Sequence, residues 1–334
     1  MRCFFDQRQL AHAPALELHN GGFVPFAETP ARVRSILDAI GPTEVPADHG
    51  EDPLLRVHPP HYLDFLKSAH SDWQAAGRSG DAFPYAFPIM RRRALRLDRI
   101  DARLGRYAMD ACSPISSGTW EAAYWNAQTT LSALDIVLGA ERTAFALCRP
   151  PGHHAGADYV GGYCYLNTAA IAAEAALAAG RTRVAILDVD YHHGNGTQDI
   201  FWTRGDVLFV SIHADPATDY PFFWGHADEV GEGEGEGATL NLPLARGTKL
   251  AEFERALDTG CARIAAYGPD LLICSYGADT YAGDPISHFA IETADYRSIA
   301  RRIADLRLPT LIVMEGGYAV DDLGRNVASF LSGF

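Results

Sequence analysis

The chain has 334 residues, 48% of them hydrophobic and 21% charged, which is enough for one large domain or two small ones with a sizeable core. Its formal net charge of -14 argues against nucleic acid as a partner, because phosphate recognition needs a basic face, and is compatible with a cationic small molecule. No apolar run approaches the ~18 residues of a membrane span. MRCFFDQRQL has no signal-like organisation and the scattered cysteines form no C-x-x-C pair, so a cytoplasmic protein with free thiols and no membrane partner is expected.

In chain order, the segment from about Ser71 to Gly118 carries several prolines, the arginines Arg91, Arg92, Arg93 and Arg96, and no clear period. It reads as a functional insertion or a partner-binding arm without regular structure. A helix is expected from Trp120 to Leu138. Short, β-branched apolar runs follow: TAFALC (143–148), VAILDV (184–189), VLFVSI (207–212), DLLICSY (270–276) and TLIVME (310–315). Continuous apolar runs of this length suit strands covered on both faces. Helical stretches fall between them, after Asn167 to Ala179, from Lys249 to Tyr267 and from Asp295 to Leu306. The alternation predicts a parallel α/β sheet. GEGEGEG (231–237) reads as a flexible acidic loop, and no repeat or linker divides the chain, so residues 1–334 read as one domain.

Polar residues gather where these strands end. The first strand runs into RPPGHHAG (149–156), the second into LDVDYHHGNGTQ (187–198), the fourth into YGADTYAGDP (276–285) and the fifth into EGGY (315–318). In an open parallel sheet the carboxyl ends share one edge, where ligand sites form. At strand period Asp188, Asp190 and His192 point to one side as ligands or orienting groups, and Asp279 brings a carboxylate from another strand end. Asp and His at one site suit zinc or iron(II), and three protein ligands leave a position for water or substrate. His153 and His154 follow the stiff turn Pro150-Pro151-Gly152, where a neutral imidazole is the expected general base. Tyr318, after Gly316-Gly317, reads as a phenol on a mobile turn that donates to a developing oxyanion. Caps and turns would account for one such cluster, but not for four at once.

RPPGHHAG, GGYCYLN (161–167), DVDYHHGNGTQDIF (188–201), GADTYAGDP and MEGGY (314–318) resemble, in order and spacing, the histone deacetylase superfamily and its acetylpolyamine amidohydrolase branch. The resemblance implies the arginase/deacetylase α/β fold, a central, mostly parallel sheet flanked by helices on both faces. It implies a zinc-dependent deacetylase, with iron(II) as the alternative metal, ligated by Asp190, His192 and Asp279. His154 would be the general base and later the acid, His153 its electrostatic partner oriented by Asp188, and Tyr318 the oxyanion donor. Asn195 takes the position that orients His154, where many histone deacetylases carry aspartate. An amide oxygen accepts the ring N–H without the charge that raises an imidazole pKa. The resemblance also implies a structural potassium ion at Asp188, Ser211 and the backbone near Ile212, and a second monovalent site at the carbonyls of Phe201, Arg204 and Val207.

The same resemblance implies that the 71–118 insertion packs two subunits into a homodimer and narrows the channel, so that a slender, cationic acylated amine enters. Glu17 would form part of an acidic rim, while Gly162, Tyr163 and Tyr220 would line the tunnel. Cys112 stands where at least one polyamine-type relative places a glutamate, and Ile286 where the eukaryotic polyamine deacetylase carries a gatekeeper glutamate, which favours short acetyldiamines such as acetylputrescine or acetylcadaverine over acetylspermidine. The alternatives are a lysine deacylase acting on peptides or other acyl-amides, a two-metal ureohydrolase of the same fold, and a non-catalytic acyl-amine binder. His193 and Gly194 supply no bridging carboxylates for the second, and no expected ligand or tyrosine is missing as the third would require.

Overall fold

The computed structural model describes residues 1–88, 95–139 and 141–334. The apolar runs form strands β4 (Thr143–Ala146), β5 (Val184–Asp188), β6 (Val207–Ala214), β8 (Leu271–Tyr276) and β9 (Thr310–Met314). Two edge strands join them, β1 (Arg2–Phe4) and β7 (Thr239–Leu244), giving a seven-stranded sheet in the order β1-β4-β9-β8-β5-β6-β7. Every pairing in it is parallel. β1 is too short to show a pattern, and β7, half-buried with Pro243 and Asn241 in its run, lacks the continuous apolar signature of its neighbours. β2 (Leu16–His19) and β3 (Gly22–Pro25) form a separate antiparallel hairpin.

β5, β6, β8 and β9 are buried at every position, so both faces of the sheet are covered. The helices are α1 (Ala31–Ile40), α2 (Asp52–Leu55), α3 (Pro60–Ala75), α4 (Ile100–Arg106), α5 (Thr119–Leu138), α6 (Thr168–Ala178), α7 (Asn195–Phe201), α8 (Leu250–Tyr267), α9 (Tyr296–Ala304) and α10 (Val320–Leu331). α5 and α6 pack together and against the sheet through β4 and β5, while α8 lies on β6 and β7 and continues through α9 and α10 to α1. The start of α6 follows from Asn167, whose side chain accepts the Ala170 N–H at 2.9 Å as an N-cap. α8 stops at Gly268, whose positive φ of 63° lets its N–H close on Ile264.

The 71–118 segment departs from the expectation of irregular structure throughout. It contains the last turn of α3 and all of α4, a helix whose inward apolar residues are only Ile100 and Leu104, too few to register as a period. Of its arginines, Arg91, Arg92 and Arg93 lie outside the described residues; Arg96 pairs with Asp98 at the surface. The cysteines are all free, with Cys148, Cys164 and Cys274 buried. Among the described residues, no helix is long and apolar enough to cross a membrane.

Candidate active site

The chain runs from β5 outward to β6 and β7, then returns to place β8 on the other side of β5. The carboxyl ends of β5 and β8 therefore meet where the strand order reverses, the place at which open α/β sheets form their ligand crevice. Residue register holds them level: Asp188 is paired with Ser275 on one side and Ser211 on the other. Beyond those ends, Asp190, His192 and Asp279 bring one ligand atom each to within 4.8 Å of one another. His192 Nδ1 faces Asp279 Oδ2 at 3.1 Å and Asp190 Oδ1 at 3.4 Å. Their remaining valences are tied to backbone: Asp190 accepts the N–H of His192 (2.9 Å) and Gly316 (2.8 Å), and Asp279 accepts that of Tyr191 (2.9 Å). Asp188 is not part of this cluster; it turns to His153.

The donor set fits a divalent metal. Burial and the adjacent Asp190 push the Asp279 carboxyl up to about 7. Burial opposes the charge on His192, yet hydrogen bonds and charge from Asp190 and Asp279 raise it to about 10. Two buried carboxylates and an imidazole thus compete for a cation in one place, and oxygen, oxygen and nitrogen donors suit zinc or iron(II). Gly277 and Gly316 form the cradle, since a Cβ on either would overlap both carboxylates.

The two histidines next to this cluster are pushed in opposite directions. Glu315, fully buried at the end of β9, accepts the N–H of Gly152 (2.7 Å) and His153 (3.2 Å) and so anchors the Pro-Pro-Gly turn from behind. His153 Nδ1–H donates to Asp188 Oδ2 at 3.0 Å; burial opposes its charge, but Asp190 and Asp188 raise its pKa to about 10. His154 Nδ1–H donates to Asn195 Oδ1 at 2.7 Å, and burial, reinforced by His153 and His192, pushes its pKa well below the ordinary value. The two rings, with centroids 4.1 Å apart, thus have environments that shift them in opposite directions.

Tyr318 sits on a pinned turn rather than a mobile one. Asp284 accepts its N–H at 2.7 Å and that of Ala319 at 3.2 Å. Arg32, fully buried in α1, donates to the carbonyls of Gly317 and Glu315, each at 2.6 Å, and lies 5.0 Å from the Tyr318 ring centroid. Gly317 has φ +125°, which a side chain would strain. Burial raises the phenol pKa well above its ordinary value against the opposing effect of Arg32, so the hydroxyl remains a proton donor.

A cavity of about 500 Å³ opens onto these groups, with His154, His192 and Tyr318 in its lining. Gly162, Tyr163, Tyr220 and Ile286 line it as well. Glu17 does not. It is buried behind the wall, accepting from the Tyr163 hydroxyl (3.0 Å) and the Ala27 N–H (3.3 Å), while its neighbour Leu18 reaches the cavity. On a strand, successive side chains face opposite ways, and Glu17 takes the inward face of the hairpin. Asp110 lines the cavity instead and ties its walls together, accepting from the Tyr220 hydroxyl (2.6 Å) and the N–H of Gly162 (2.8 Å) and Cys112 (3.1 Å). Arg246 reaches the mouth with its Nε 2.8 Å from Asp219 Oδ2. Ser211 and Ile212 are buried inside β6, away from the cavity lining. Phe201 ends α7 and its carbonyl accepts the Arg204 N–H at 2.9 Å; Val207 begins β6.

Glu315, Asp284, Arg32 and Asp110 were not identified from sequence. Glu315 and Asp284 lie inside motifs that were recognised, so their position was a signal. Arg32 and Asp110 reach the site from elements with no motif, and only tertiary structure brings them there.

Residues 26–334 match the histone deacetylase domain. The chain is 50% identical to acetylpolyamine amidohydrolase 1 of Pseudomonas aeruginosa, covering 99% of this chain and 97% of that protein. It is 45% identical to the acetylpolyamine amidohydrolase of Mycoplana ramosa, covering 100% and 99%. Its fold superposes on the crystal structure of acetylpolyamine aminohydrolase from Burkholderia pseudomallei with a TM-score of 0.95 at 41% identity, covering 100% of this chain and 98% of that one. The chain belongs to the histone deacetylase domain family, with its α/β arginase/deacetylase fold.

Proposed function

We propose that this member of the family is a zinc-dependent amidohydrolase that removes an acetyl group from a small cationic amine, a short acetyldiamine such as acetylputrescine or acetylcadaverine. The convergence of Asp190, His192 and Asp279 beside a neutral His154 and a protonated Tyr318, at the inner end of one cavity, carries this reading. Asp190, His192 and Asp279 would hold the metal, which when bound supplies a Lewis acid and lowers the pKa of water. His154, with Nε2 unprotonated, takes the proton as water adds to the amide carbonyl carbon. The Tyr318 hydroxyl donates to the oxyanion that forms. His154 then returns the proton to the amine nitrogen as the C–N bond breaks, leaving a carboxylic acid and an amine, and the acid's proton passes to the amine to give carboxylate and ammonium. His153, charged and held by Asp188, stays a cation and keeps the proton on its neighbour labile.

The names of the relatives favour an acetylated polyamine as substrate. A short diamine is favoured further by the mouth itself. Ile286 leaves that wall apolar, and the nearby Asp219 carboxylate is already paired with Arg246 rather than left for a distal ammonium. A potassium ion at Asp188, Ser211 and the Ile212 carbonyl belongs to the same reading, supported by the register pairing of Asp188 with Ser211 in the buried sheet. So does a homodimer built on the 71–118 segment, where Tyr85, Phe87 and Leu95 are exposed. Metal analysis of the purified protein, with rates on acetylputrescine, acetylspermidine and an acetyllysine peptide, tests the proposal. Bound zinc and fastest turnover of acetylputrescine are expected; a preference for the peptide would make it a lysine deacylase, and turnover without metal would overturn the mechanism.

A further inference from the structure

An aspartate beside His154 would offer two equivalent oxygens, whereas the Asn195 amide offers an acceptor on one side and donors on the other. A half-turn of the amide exchanges them, and the imidazole it faces must change tautomer to keep the bond. In this protein Asn195 Oδ1 lies 2.7 Å from His154 Nδ1. On the opposite side, Asn195 Nδ2 lies 3.2 Å from Met109 Sδ. A thioether accepts weakly and has no proton to give, so it suits the NH2 end of the amide and not the oxygen. With the oxygen turned to the ring, only the Nδ1–H tautomer makes the bond, and the Nε2 lone pair is left for the reacting proton. The reversed amide would present N–H to Nδ1, favour the Nε2–H tautomer, and remove the base.

The sulfur is itself held in place. The Met109 N–H donates to the Val160 carbonyl at 2.9 Å, and Gly161 lies so close that a Cβ there would overlap Met109 Cγ and Sδ. The Tyr220 hydroxyl is 3.9 Å from the same sulfur. Met109 thus belongs neither to the metal cluster nor to the cavity lining, though it lies behind Tyr220, and it is packed against the one residue whose orientation decides the state of His154.

We infer that Met109 is a positioning residue that fixes the Asn195 amide and, through it, the tautomer of His154. The inference rests on His154 being the general base. Met109→Leu, close in volume and without an acceptor, tests it on the metal-loaded protein. The expected result is a fall in kcat of about 10-fold for acetylputrescine, with KM and metal content unchanged. In an Asn195→Asp background, where the symmetric carboxylate needs no orienting, Met109→Leu should add less than about 2-fold, a coupling that simple loss of packing would not produce. Equal losses in both backgrounds, or none in the Asn195 protein, would overturn it. The 15N spectrum of the His154 ring, assigned by difference from His154→Ala, gives a readout that needs no folded Met109 variant. Nδ1 protonated and Nε2 unprotonated is expected, and the opposite tautomer overturns the inference. If His154→Ala itself retains turnover, the general-base reading fails instead, whatever Met109 does.

Discussion

At the inner end of the cavity Asp190, His192, Asp279 and Tyr318 each follow closely the end of β5, β8 or β9, and each is buried or nearly so. At the mouth Leu18, Asp110, Arg246 and Ile286 come from a hairpin and from separate loops, and Arg246 is half exposed. The inner end is therefore set by the register of a buried parallel sheet, which a single side chain cannot shift. The mouth is set by local contacts such as Asp110 with Tyr220 and Asp219 with Arg246, each of which depends on one pair of side chains. Changes at the two ends should accordingly separate chemistry from selectivity.

The largest effect is expected at the proposed metal ligands. Asp190→Ala should abolish metal retention and lower kcat/KM by ~10³-fold or more, since several kcal/mol of transition-state stabilisation go with the metal; metal analysis and rates on acetylputrescine check it. Tyr318→Phe should keep the metal and lower kcat by ~10²–10³-fold, the usual cost of one oxyanion donor. An unchanged kcat would remove Tyr318 from the chemistry.

A pH effect on stability comes next, from His58, a buried ring outside the cavity lining. His58 Nδ1–H donates to the Ala157 carbonyl and Nε2 accepts the Asn167 N–H, each at 3.0 Å, so the buried ring is neutral. Burial lowers its pKa from 6.5 to about 4 in the folded protein. The unfolded chain then binds one more proton than the folded one between those values, so stability is full above pH ~6.5 and falls as pH drops toward ~4. This group contributes at most about 3 kcal/mol to the loss. Urea unfolding across that range should show a slope shallower by one proton in His58→Gln, and an identical slope would contradict the buried neutral ring. The smallest effect belongs to the mouth: Ile286→Glu should raise the kcat/KM ratio of acetylspermidine to acetylputrescine by ~3–10-fold while leaving metal content intact. A ratio that does not move would mean that the distal amine never reaches this wall.

The same contrast explains what was legible in the sequence. Apolar runs and the polar clusters beyond them located the central strands and brought Asp190, His192 and Asp279 to one edge, because sheet geometry converts sequence order into position. The extent of α6 after Asn167 and the ends of α8 were readable for similarly local reasons. α7 was missed because it is short and opens on the polar run Asn-Gly-Thr-Gln. The family resemblance places Glu17 on the rim, and its hairpin does reach the cavity, but one residue of strand alternation turns Leu18 to the opening and Glu17 inward. Met109 and Arg32 act through contacts more than 80 residues distant in sequence, which no local pattern records.

The strand order has a consequence for how the protein is made. β4 and β5 are consecutive strands of the main sheet in the chain, yet β9 and β8 lie between them. A ribosome that has released β4 through β7 has therefore produced two sheet fragments, each with an unpaired inner edge, and His192 without the carboxylate that stands 87 residues later. Only when β8 and β9 emerge can they fill the gap and join the halves. Such exposed edges are sites of premature association, and pairings this distant form slowly. Chains interrupted before β9 should accumulate as insoluble material, and metal capture should mark the end of folding rather than its beginning.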